Sequence, residues 1–212
     1  MVKQLLILLF TLVPVITNAQ PPFFKKPGLK PPKINDKPYR YFPQFGTSAT
    51  FAPGFMSGQK SANYYLHGHA FVFIDRLVSL RGDAFVSLRS NNADQIFEMH
   101  HTFSAGPSLH ILHGDVADPY IGLGVGFSYS RLKPGFIGMP SGNSLNPLVM
   151  PHLGCRFYAE QWFYFFAEAH YAIGKHFAEQ RPAVKFNELR FAAGLGFQIS
   201  KRVATQVPNQ NK

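Results

Sequence analysis

At 212 residues, with 46% hydrophobic and 15% charged side chains, the chain is too apolar to be disordered and long enough for one or two domains. A single cysteine, Cys155, excludes an internal disulfide and with it a cross-linked secreted scaffold. The net charge of +10 would suit nucleic acid in a cytosolic protein, but the leader described next carries the chain out of the cytoplasm, so no nucleic-acid partner is expected.

Residues 1–19 read as a secretory signal: Lys3, an apolar run from Leu5 to Ile16, then the small residues before a cut near Ala19. Interrupted by Pro14, the run falls short of the roughly 20 residues that a spanning helix needs. No cysteine follows the cut, which argues against a lipoprotein. Residues 20–44 form a proline-rich basic linker with Lys25, Lys26, Lys30, Lys33, Lys37 and Arg40 against Asp36, read as an extended spacer. A periplasmic partner or lipid head groups are its alternative use, and Tyr39, Tyr41 and Phe42 close it as an interfacial anchor.

From there to the end the chain alternates with a period of two. In strand one, about Phe45 to Phe55, residues Thr47, Ala49, Phe51, Pro53 and Phe55 oppose Gly46, Ser48, Thr50, Ala52 and Gly54. Strand two spans about Tyr64 to Ile74, strand three Val78 to Arg89, strand four Met99 to Leu112. Strand five, Pro119 to Leu132, is the cleanest: Ile121, Leu123, Val125, Phe127 and Tyr129 on one face, Gly122, Gly124, Gly126, Ser128 and Ser130 on the other. Strands six (Leu148 to Tyr158), seven (Phe163 to Gly174) and eight (Asn187 to Ser200) follow. Apolar faces turned to lipid and small or polar faces turned inward predict an all-β, eight-stranded antiparallel up-and-down transmembrane barrel over residues 45–200. A soluble barrel would bury the large apolar face instead.

The links alternate short (after strands two, four and six) and mostly long (after one, three, five and seven), as periplasmic turns and outer loops do. That places the barrel in the cell outer membrane with both termini periplasmic, including a tail at 201–212. Phe73, Tyr120, Phe157, Trp162 and Phe197 fall near the short turns, and Phe55, Tyr64, Phe103, Phe127 and Tyr129 toward the other rim, so two aromatic belts are expected. Pro53, Pro107 and Pro151 each remove a ladder donor, which places them at bulges or near strand ends.

The leader ending Asn18-Ala19-Gln20 and the strands Gly-Leu-Gly-Val-Gly-Phe and Gly-Leu-Gly-Phe-Gln-Ile resemble those of small eight-stranded outer-membrane barrels, including the OmpA-like barrel domain and Bacteroidetes-type barrel proteins. The resemblance covers most of the mature chain and is specific for fold rather than activity. It implies that Phe197 and Ile199 in the closing strand are read by the barrel assembly machinery, although residues from Lys201 on extend past the usual end. Resemblance to lipid A palmitoyltransferase barrels implies that the three prolines open a lateral gap to lipid.

By the alternation, His67, His69, Arg81, Asp83, Arg156, Glu168, His170 and Arg190 face the lumen. A barrel of this size is filled by side chains, so these charges form a polar plug, His69 opposite Asp83 and Glu168 toward Arg156 or Arg190. As an acid–base pair His69 and Asp83 lack a nucleophile, and His170-Tyr171-Ala172 lacks the serine of the His-x-Ser pair in lipid A deacylases. His100 and His101 point to opposite faces and no carboxylate or cysteine completes a ligand set beside His67 and His69, so neither metal nor cofactor is expected. Cys155 faces lipid and is inert. Outside, Arg131, Lys133, Lys175, Arg181 and Lys185 match lipopolysaccharide phosphates, and Phe136, Ile137 and Met139 form an apolar loop tip for docking. The reading is a structural or surface-binding barrel among outer-membrane lipids, with a lipid-modifying enzyme or a narrow pore as alternatives.

Overall fold

Every second residue turns inward along eight strands: β1 (Tyr39–Met56), β2 (Asn63–Phe73), β3 (Val78–Ser87), β4 (Phe97–His110), β5 (Ala117–Leu132), β6 (Asn143–Tyr158), β7 (Phe163–His176) and β8 (Val184–Ala204). The computed structural model describes residues 39–204 apart from 76, 89–93, 112–116, 134–141, 161 and 178–182, with side chains from 44 to 199. Each strand pairs antiparallel with the next, and β8 returns to β1, closing the barrel. Closure leaves no sheet edge, so every strand has a ladder on both sides.

The outer face is a belt of large apolar groups. Phe51, Val125 and Leu153 are among its most exposed members, at 72%, 60% and 59%. Trp162 stacks on Phe197 at the short-turn end, ring centroids 6.0 Å apart, while Phe55 and Tyr64 ring the long-loop end. Phe73 and Tyr120 do not belong to these belts, because they share the inward parity of His67 and Gly122 and lie buried in the lumen.

The inner face corrects the expectation that only small and polar groups point inward. Tyr65, Phe71, Phe85, Tyr120, Tyr164, Phe166 and Phe186 are buried there. The glycines explain how they fit. Gly46, Gly154, Gly174 and Gly196 are the direct cross-strand partners of Phe71, Tyr120, Phe186 and Tyr164, and an added Cβ at any of them would run into that ring. Each glycine is a socket for the aromatic opposite, so the small face is covered rather than left as open lumen.

The Asp75 carboxylate accepts the backbone N–H groups of Leu77 (2.7 Å) and Val78 (2.8 Å), an Asx turn that fixes the β2–β3 hairpin. The barrel is longer than the alternation predicts. Residues 39–43, expected in the linker, pair with the end of β8 from Tyr39↔Ala204 to Pro43↔Ser200, and the first four residues of the expected tail are strand. The predicted signal, the rest of the linker, the tail beyond Ala204 and the side chains of Tyr39, Tyr41 and Phe42 lie outside the described residues.

None of the three prolines lies at a register shift: Pro53 and Pro107 stand near the ends of β1 and β4, as expected, and Pro151 stands in the middle of β6. The β6–β7 ladder stops at Val149↔Ile173 and resumes at His152↔His170 in the same register, leaving a gap beside Pro151. Pro107 lies in the same kind of gap between Ala105↔Val125 and Ser108↔Gly122, and Pro53 in one between Ser48↔Gly196 and Gly54↔Arg190. Each proline keeps its other ladder, with Tyr64, Leu80 and Leu123 opposite, so the missing donor costs one side only. The register shifts instead between Pro43 and Phe45 and between Phe97 and Met99.

Candidate functional site

Inward positions at similar heights on neighbouring strands stack the polar residues of the lumen in three layers. Nearest the long loops, Glu188 accepts from Arg190 Nε (2.7 Å) and Nη2 (2.6 Å), from the Tyr65 hydroxyl (2.7 and 2.8 Å) and from Asn63 (2.6 Å), while Arg190 also donates to Thr102 (2.5 Å). The guanidinium sits 4.2 Å from the Tyr65 ring centroid.

At mid-height, Arg81 grips two carboxylates. It donates from Nε and Nη2 to Asp83 (2.9 and 2.6 Å) and from Nη2 to Glu168 Oε1 (2.9 Å), with Nη1 2.8 Å from Oε2. The Tyr120 hydroxyl donates to Glu168 Oε2 at 2.5 Å. Three imidazoles surround Glu168 Oε1: His170 Nε2 at 3.2 Å, His69 Nδ1 at 3.4 Å and His67 Nδ1 at 3.5 Å. His67 Nε2 meets Asp83 at 3.1 Å. The expected partners are therefore exchanged. His69 is the backbone partner of Asp83, but in a strand the side chains lean, and His67 takes the carboxylate. Glu168 pairs with Arg81 rather than Arg156 or Arg190, whose height on the barrel matches Asp118 and Glu188.

Toward the short turns, Arg156 lies 3.6 Å from the Phe71 ring centroid and 4.6 Å from that of Tyr120, with Asp118 3.6 Å away. Its three nitrogens have no hydrogen-bond partner, so the aromatic faces and the Asp118 charge hold the cation. Asp118 accepts from Tyr158 at 2.7 Å and meets His110 Nδ1 at 2.8 Å.

All eight predicted lumen residues, His67, His69, Arg81, Asp83, Arg156, Glu168, His170 and Arg190, are buried inside the barrel. His100, His110, Asp118, His152 and Glu188, beyond the eight expected residues, are also buried there, and their inward parity is the signal the sequence carries for them. The sequence marks no nucleophile, whereas serine and histidine meet at four buried places: Ser48–His69 (3.0 Å), Ser79–His110 (2.9 Å), Ser108–His152 (2.9 Å) and Ser130–His176 (2.8 Å). With Asp118 behind His110, the second has the layout of a nucleophile relay. Ser79 is wholly buried and the Phe73 ring covers His110 at 4.4 Å, so no substrate carbonyl can approach. The Ser–His contact recurs at several depths, a small hydroxyl giving a ring room and a partner.

On the outer surface, Arg131 donates to Asn143 at 2.7 Å and lies 3.8 Å from Glu98, Lys133 donates its backbone N–H to Ile96, and Lys175 faces Lys185 across β7 and β8. Phe136, Ile137, Met139 and Arg181 lie outside the described residues. Cys155 is half-buried. Between the gaps at Pro107 and Pro151 runs an outward groove of about 490 Å³, walled by Leu109, Ile121, Leu123 and Leu153 and floored by Gly122, His152 and His170.

No protein-family model and no curated protein matches the chain. Solved structures do. Neisserial surface protein A superposes with a TM-score of 0.55 at 12% identity, covering 73% of this chain and 97% of that one. Ail, the attachment invasion locus protein of Yersinia pestis, gives 0.51 at 12%, covering 74% and 99%, and the outer membrane protein OprG from Pseudomonas aeruginosa 0.50 at 13%, covering 76% and 97%. What this chain has in common with them is the fold, a closed barrel of eight antiparallel strands.

Proposed function

We propose that the protein is a non-enzymatic outer-membrane barrel of structural or surface-binding type, with both termini periplasmic and a lumen closed by its own side chains. The observation that carries this is the outer face: a continuous apolar belt, edged by aromatic residues, around an interior filled by its own side chains. In water such a belt is a liability, and in acyl chains it is the ordinary solvent-facing surface. The closing strand, with Phe197 and Ile199 turned outward, offers the assembly machinery its signal, and the basic linker is available to a periplasmic partner.

At the long-loop rim, Lys175 and Lys185 are exposed and directly opposed. Like charges in that position repel unless an anion lies between them, and lipopolysaccharide phosphate is the anion at that height. Arg131 and Lys133 extend the basic rim. The test is fractionation with heat-dependent gel mobility, followed by lipopolysaccharide binding of Lys175→Gln/Lys185→Gln. Weakened binding is expected; a mature chain that stays dissolved without detergent sinks the membrane reading.

One observation favours a second reading, lipid modification. The groove between Pro107 and Pro151 is floored by His152, whose Nε2 meets Oγ of the buried Ser108, so an acyl chain docked there would lie over that imidazole with the hydroxyl behind it. Lipid A profiles of Ser108→Ala cells by mass spectrometry decide it, an unchanged profile removing the enzyme. A pore is tested by planar-bilayer recording, where the filled lumen predicts no discrete conductance steps.

A further inference from the structure

We propose that His67, His69, His170 and Glu168 form a site for a divalent cation of the zinc class at the centre of the lumen. The inference goes beyond the surface-binding reading and does not depend on it.

The geometry points there first. One carboxylate oxygen, Glu168 Oε1, has three imidazole nitrogens at 3.2, 3.4 and 3.5 Å. Tetrahedral zinc with bonds of about 2.0–2.1 Å places neighbouring ligand atoms ~3.3 Å apart, close to the distance of each imidazole nitrogen from Oε1.

The second observation is independent. His67 Nδ1 and both ring nitrogens of His170 have no hydrogen-bond partner, although both side chains are wholly shielded from solvent. Their approaches to Glu168 are therefore close without being hydrogen bonds. Buried imidazole nitrogens are seldom left aimed at one carboxylate oxygen without a partner, and a shared cation satisfies His67 Nδ1 and His170 Nε2 at once.

The surroundings are those of a supported metal site. His67 aims Nδ1 at the cluster while Nε2 is held by Asp83 at 3.1 Å, and His69 turns Nε2 to the Tyr164 hydroxyl at 3.0 Å. Tyr120 and Arg81 fix Glu168 Oε2 and leave Oε1 toward the rings. Such outer contacts set ring orientation and ligand basicity. Two present contacts give way on binding: Arg81 Nη2 to Oε1 at 2.9 Å, the same nitrogen keeping Asp83 at 2.6 Å, and Ser48 Oγ to His69 Nδ1 at 3.0 Å. Against Arg81, the two carboxylates leave one negative charge for the cation.

Three imidazoles and one carboxylate, with no thiolate, suit zinc and its transition-metal neighbours and not calcium or magnesium. The ion would tie β2 to β7, strands that are not neighbours in the sheet. The expectation that no carboxylate stands beside His67 and His69 does not hold: Glu168, remote in sequence, comes within 4.8 Å of both across the lumen.

The experiment uses the untagged, detergent-refolded chain stripped with chelator, its fold checked by heat-dependent mobility. Zinc is titrated in competition with a chromophoric chelator, and cobalt serves as a spectroscopic probe. One ion per folded barrel is expected, with the intense visible bands of tetrahedral cobalt displaced by zinc. Glu168→Gln and His170→Gln should each weaken binding at least about tenfold, and Tyr120→Phe by about 10- to 100-fold. His110→Gln, in another layer, should leave it unchanged. X-ray absorption on the zinc-loaded wild type needs no variant to fold and should count three imidazoles and one oxygen. A folded wild type that takes up no ion, an absorption spectrum with fewer than two imidazoles, or unchanged affinity in folded Glu168→Gln and His170→Gln overturns the proposal.

Discussion

Arg81 on β3 and Glu168 on β7 form a two-pronged ion pair across the lumen, Nη1 to Oε2 at 2.8 Å and Nη2 to Oε1 at 2.9 Å, with neither side chain reached by solvent. Arg81 also holds Asp83, so one cation grips carboxylates from two strands. Replacing it by methionine keeps volume and strands both carboxylates. We expect Arg81→Met to cost about 3–5 kcal/mol, the range for breaking a buried pair from one side. Urea unfolding from lipid vesicles, followed by the fluorescence of Trp162, measures it.

The stacking of Arg156 on Phe71 gives a second prediction. Because the guanidinium nitrogens have no hydrogen-bond partner, the ring face is a principal contact of this cation. Phe71→Leu should destabilise by about 2 kcal/mol from the desolvated cation–π term. The outward Phe51→Leu should change little, and equal effects from the two would discount the stack.

Glycine sockets make a third. At Gly196 an added methyl meets the Tyr164 ring, so Gly196→Ala should cost about 1–3 kcal/mol by overpacking. At Gly68 the nearest atom to an added Cβ is the Ser48 carbonyl oxygen at 3.4 Å, so Gly68→Ala should be tolerated. Heat-dependent gel mobility ranks the two, and the reverse order would refute the socket account.

Between the outer loops Asp94 acts as a latch. Its carboxylate accepts the Ser61 hydroxyl (2.7 Å) and the backbone N–H groups of Ser61 (2.7 Å) and Lys60 (3.0 Å). The Ser61 hydroxyl is the largest influence holding its carboxyl below the ordinary range; desolvation opposes it, and the backbone amides add to it. A depressed folded value means that the latch contributes above the unfolded carboxylate value and is lost as pH falls through the folded one. Amide resonances of Lys60 and Ser61 should therefore stay fixed from neutral pH down to the ordinary carboxylate range and move only below it. Asp94→Asn should abolish the transition.

The sequence by itself determined the architecture, because a period-two pattern interrupted by short and long links leaves one way to separate a greasy face from a polar one. It also chose which histidines, carboxylates and arginines point inward, since parity along a strand decides that residue by residue. Parity carries no information about height or about what lies across the barrel. Only the tertiary structure decided that Glu168 meets Arg81, His69 and His170, that Arg156 rests on Phe71, and that Gly196 receives Tyr164. Those contacts depend on the stagger between strands and on side chains reaching across a closed cylinder, and both are set when β8 joins β1. The prolines teach the same point: their lost donors predict a broken ladder, but only closure fixes which neighbour goes unpaired and where the groove beside Pro107 and Pro151 opens.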